Sequence, residues 1–171
     1  MISTTWINQT SLMRTRFPKF RVRKYSDNKV FGWLHHNFFR WAAATTIGFT
    51  VYFDDNHFET DRGVEILRHE AAHMHDYSRW GLLFSLSYIF LLPVVFTMRA
   101  YWEWRGYKES LRSIHEEYKH YKINKPSYYA YVIEYYCQWV ASVFCGPGYF
   151  WMFPFKKYMY NKCKTFVGTL T

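Results

Sequence analysis

The chain has no glycine loop of the kind that cradles phosphate, no nucleophile elbow and no internal repeat. P-loop phosphoryl transfer, serine hydrolysis on an α/β-hydrolase sheet and a solenoid architecture are therefore excluded. Cysteine is scarce: Cys137, Cys145 and Cys163 form no CxxC and cannot all pair within the chain, which favours a reducing compartment. The basic N-terminal region is not followed by an apolar stretch with a small-residue cleavage site, so no secretory signal peptide is expected. Acidic residues are in deficit, with 13 Asp and Glu against 22 Lys and Arg.

What is present is aromatic and basic. The 171 residues include 16 Tyr, 16 Phe and 8 Trp, a surplus suited to interfaces as well as to a core. A net charge of +9 points to an anionic neighbour, whether nucleic acid, membrane surface or acidic protein. Between residues 14 and 24 stand Arg14, Arg16, Lys19, Arg21, Arg23 and Lys24 with no acidic residue among them. Residues 1–30 accordingly read as a basic arm outside a domain spanning 31–171. Phe17, Phe20 and Tyr25 are interleaved with the charges, and a protein partner or assembly subunit is preferred over nucleic acid because no nucleic-acid module is recognisable.

The chain is organised around His69-Glu70-Ala71-Ala72-His73, an HExxH sequence. Two histidines four residues apart on a helix share one face and can grip one metal ion, while the glutamate can take a proton from water at that metal. Asp61 is the expected N-cap of this helix. Asp76 falls on the histidine face, whereas His75 points away and is not a ligand. Ahead of the helix, residues 31–44 read as a short amphipathic helix. Residues 45–53 (TTIGFTVYF) read as one strand, the kind of edge along which zinc peptidases bind extended substrate.

Residues 81–98 carry no charge and just reach the length of a membrane span, about 27 Å of helical rise. A single crossing would put His73 and Glu103 on opposite sides of a bilayer. A helix packed inside the domain and broken at Pro93 is therefore expected instead, and a membrane partner is not. The helix expected from Met98 to Tyr121 has an apolar stripe of Ala100, Tyr107, Leu111, Ile114 and Tyr118. Glu103 lies within that stripe, whereas Glu109 lies on a charged face with Arg105, Arg112 and Glu116. A lone carboxylate among apolar residues is costly unless paired or bound to metal, so Glu103 is the candidate third ligand. The alternative is a buried ion pair with Arg62 or Arg99.

HExxH followed by a glutamate on a later helix resembles the gluzincin arrangement of zinc metallopeptidases. More narrowly, ATTIGFTVYF, ILRHEAAHMHDY, LFSLSYIFLLPVVF, the EWRGYKESL that starts at Glu103, and FCGPGYFWMFPF look like a family of small metallopeptidase-like proteins of bacteria and phages. The resemblance covers residues 43–157 and leaves the basic segment outside. It implies a helix-dominated α+β, zincin-like fold with a short edge sheet before the HExxH helix. It also implies Zn2+ held by His69, His73 and Glu103, with Glu70 as catalytic base. The chain departs from the pattern at Asp76, where glutamine is expected, which adds charge beside the metal.

The expected activity is zinc-dependent hydrolysis of peptide bonds, with Tyr107 or His115 stabilising the oxyanion. A phage virion or assembly protein that keeps the zinc as a staple is the alternative, and a membrane-associated metallopeptidase a further one. The expected location is correspondingly cytoplasmic or virion-associated. Residues 126–144 read as a helix opened by Pro126 and stopped at Gly146-Pro147-Gly148. The aromatic run 149–155 reads as a core plug or a partner-facing patch, and Lys156, Lys157, Lys162 and Lys164 as a second basic cluster.

Overall fold

The computed structural model describes residues 4–38, 42–89, 98–147 and 153–170, with the side chains of residues 38, 88 and 89 left aside. The chain is helix-dominated α+β and divides into two compact units, Met1–Arg79 and Trp80–Thr171.

In the first unit the segment expected as a free arm is folded. Helix α1 (Thr4–Arg16) leads to strand β1 (Arg21–Lys24), a short 3-10 turn at Tyr25–Asp27 and helix α2 (Lys29–Phe38). Asn28 starts α2, its Oδ1 accepting from the backbone N–H of Val30 and of Phe31. Strands β2 (Ala44–Ile47) and β3 (Thr50–Phe53) follow, then the long helix α3 (Asp61–Trp80). The sheet order is β1-β3-β2, with β1 parallel and β2 antiparallel to β3.

Two expectations are corrected here. Residues 45–53 form not one strand but a hairpin, because Gly48 takes φ +61° and Gly48-Phe49 closes a two-residue loop between the paired Ile47 and Thr50. Glycine at the first central position is what a type II′ turn needs. The boundary at residue 30 also gives way. Trp6, Met13, Phe17 and Phe20 are core residues, packed in one cluster with Val51, Phe53, Val64, Leu67 and Met74. The apolar side of the segment is what orders it, while Arg14, Arg16, Lys19, Arg21 and Arg23 stay exposed. Lys24 is half-buried instead: it lies 3.6 Å from Asp55 and over the Phe58 ring.

The second unit, as described, is all helix: α4 (Leu82–Ile89), α5 (Met98–Tyr118), α6 (Tyr121–Asn124), α7 (Pro126–Phe144) and α8 (Lys156–Gly168). Its core joins Tyr107, Leu111 and Ile114 of α5 to Val132, Ile133, Cys137, Val140, Ala141 and Phe144 of α7, and to Met159, Cys163 and Val167 of α8. The apolar stripe read from α5 is thus the face that packs. Glu134 pins α7 to α8, accepting from Tyr160 Oη at 2.7 Å and Lys164 Nζ at 3.0 Å.

Within the uncharged run, residues 82–86 depart from the expectation of a helix packed inside the domain. Phe84 is buried against Trp102, but Leu82, Leu83 and Leu86 are exposed on α4. An eight-residue helix with apolar residues on every side cannot hide all of them against one neighbour. The break expected at Pro93 lies outside the described residues, as does most of the aromatic run 149–155. Among the described residues no helix is long and apolar enough to cross a membrane.

Candidate metal centre

Helix α3 owes its start to Thr60 rather than Asp61. The Thr60 hydroxyl accepts the backbone N–H of Gly63 at 3.0 Å, and its carbonyl takes the first helical bond from Val64. Asp61 sits in the first turn, where the helix dipole favours an acid. The same turn is fixed from outside by Gly63. A Cβ there would stand 2.2 Å from the His57 carbonyl oxygen and 2.8 Å from the Trp6 ring. Only glycine lets α3 lie this close to the preceding loop and to α1.

Two turns on, His69 and His73 present buried rings toward each other, with Nε2 atoms 3.2 Å apart. The spacing of four residues brings this about, since a helix places i and i+4 on one face. His75 is half-buried, its Nδ1 3.7 Å from Asp76 Oδ1, and it is not part of the cluster of His69, His73 and Glu103. Asp76 itself is fully buried, as expected of its place on the histidine face.

Glu70 is buried, and its Oε2 accepts a 2.6 Å hydrogen bond from Thr46 Oγ1 of β2. Thr46 escaped notice in the sequence as a site residue. The only trace of it is the period of two in β2, which alternates exposed and half-buried positions and turns Thr46 inward. On the opposite side of the strand Thr45 accepts from Tyr25 Oη at 2.6 Å. Burial pushes the Tyr25 phenol above its ordinary range, and the nearby Glu70 charge adds to the effect.

On α5, Glu103 is 1% exposed, whereas Glu109 is half-exposed and paired with Arg112. Arg62 pairs with Glu65 in its own helix. One ligand atom each of His69, His73 and Glu103 lies within 4.8 Å of the other two, a set able to hold a metal ion. Two imidazole nitrogens and a carboxylate oxygen are a donor set that suits zinc.

The two oxyanion candidates separate. Tyr107 lies one turn beyond Glu103 on α5, its ring packed against Trp139 and Phe144. His115 lies about 18 Å of helical rise from Glu103 and bonds through Nδ1 to Tyr129 Oη at 2.7 Å. Both side chains are buried against α7, and what separates them is distance: His115 is too far along the helix to serve Glu103's neighbourhood. Comparison of the chain with protein-family models, with curated proteins and with solved structures gave no match.

Proposed function

We propose that this protein is a zinc-dependent peptidase in which His69, His73 and Glu103 hold the metal and Glu70 is the base. The observation that carries the reading is the grouping of those three buried ligands, two of them flanking Glu70 in HExxH. When bound, the metal would polarise a peptide carbonyl and acidify the attacking water. Glu70 takes the proton of that water on the carboxylate oxygen not engaged by Thr46, then hands it to the leaving amine. Tyr107, one turn from Glu103, is the proposed donor to the developing oxyanion.

The test is metal analysis of the purified protein followed by hydrolysis of a mixed peptide library. About one zinc per chain, with cleavage abolished in Glu70→Gln, is the expected result. Full zinc loading with no cleavage of any peptide would leave the metal as a staple and favour an assembly role. A chain that takes up no zinc would refute both readings.

A further inference from the structure

We infer that Thr46 is a positioning residue, whose hydroxyl fixes the Glu70 carboxylate in the orientation a base needs. The kinetic part of this inference rests on the proposed hydrolysis; the structural part does not. At 2.6 Å the Thr46 Oγ1 to Glu70 Oε2 contact has the length of a charge-assisted O–H···O⁻ bond, among the stronger hydrogen bonds in proteins. A buried glutamate has three rotatable side-chain bonds and no intrinsic preference for which oxygen faces the reactants. With Oε2 taken by the hydroxyl, Oε1 is left to receive the proton.

The anchor is itself well held. Threonine is β-branched and stiff at χ1, so its hydroxyl direction follows from the backbone. That backbone is the edge strand β2, paired through Thr46↔Val51 to the buried centre of β3. The next residue back, Thr45, bonds to buried Tyr25 from the other side of the strand. β2 is therefore braced on one side by Tyr25 and delivers Thr46 to Glu70 on the other. A serine here would keep the donor with less rigidity, while a valine would keep the shape and lose the donor.

The experiment uses the full chain with Thr46→Val and Thr46→Ser, each alone and in a Glu70→Ala background. In metal-free protein, Thr46→Val should lower the thermal unfolding midpoint when Glu70 is present and leave it unchanged when Glu70 is alanine. In zinc-loaded protein, Thr46→Val should lower kcat by about 10- to 100-fold, the range for losing a supporting group of a metal site. KM and zinc content should stay at the parent values, and Thr46→Ser should recover most of kcat. Additive effects of Thr46→Val and Glu70→Ala on the unfolding midpoint would overturn the contact. Unchanged kcat in Thr46→Val, or a serine variant as impaired as the valine one at full zinc loading, would overturn the positioning role. Should the parent protein cleave no peptide, the hydrolase reading fails separately, and the metal-free comparison alone decides whether Thr46 holds Glu70.

Discussion

The Nε2 atoms of His69 and His73 face each other at 3.2 Å on one side of α3. A metal ion held between them would satisfy both Nε2 lone pairs at once. His73→Ala should therefore abolish stoichiometric zinc binding. It should also remove the stabilisation that zinc gives the parent chain, about 2.7 kcal/mol at a free zinc concentration of 100 times Kd. Calorimetric titration and thermal melts with and without chelator check this. A parent melt insensitive to chelator would refute it.

Glu70→Gln separates base from ligand. Glutamine keeps the size of the side chain and can still meet the Thr46 hydroxyl, so zinc content and melting temperature should hold. Turnover should fall by about 100- to 10,000-fold, as expected for loss of a positioned proton acceptor. Parallel measurement of zinc content and peptide cleavage decides the matter, and parent-level cleavage would rule out the water-activating mechanism.

The first turn of α3 should be intolerant of any side chain at position 63. The obstacles to a Cβ include the His57 backbone carbonyl, which cannot swing aside as a side chain can. Gly63→Ala should cost about 1–3 kcal/mol, the scale of overpacking a tight site. Trp6→Ala, which empties the other side of the same contact, should cost about 3–5 kcal/mol. Urea unfolding of both variants tests the pair.

A chain starting at Ser26 should fail to fold its first unit. It would lose Trp6, Met13, Phe17 and Phe20 from the core and β1 from the side of β3. The expected readout is loss of cooperative melting, together with loss of protection from hydrogen exchange in β3. A truncated protein that melts as the full chain does would restore the arm as a separate segment.

Acid should loosen the second unit through Glu134. Hydrogen bonds from Tyr160, Gln138 and Lys164 hold its carboxyl down at about 2, against an ordinary value of 4.5. A carboxyl depressed by folding contributes stability above its unfolded pKa and loses it as pH falls toward the folded one. Between about pH 5 and pH 2 the parent protein should therefore lose stability more steeply than Glu134→Gln. Unfolding midpoints across that range supply the comparison, and parallel curves would refute it.

What the sequence settled by itself is what depends on neighbours within a turn or two. HExxH spacing fixed the shared face of His69 and His73, and the apolar stripe of α5 separated buried Glu103 from half-exposed Glu109. Pro126 and the glycines after Phe144 bounded α7 at Pro126–Phe144, as read. Tertiary structure decided the rest, because each remaining feature turns on contacts distant in sequence. The alternation of 45–53 suits one strand or two, and the left-handed backbone at Gly48 with pairing to β3 made it a hairpin. The charges of 14–24 suggested a free arm, yet the aromatic residues between them found a core in α3 and β3. Thr46 looked like any strand threonine until the fold brought its hydroxyl to Glu70, 24 residues on, since the partner of a side-chain hydrogen bond is chosen by where the chain returns.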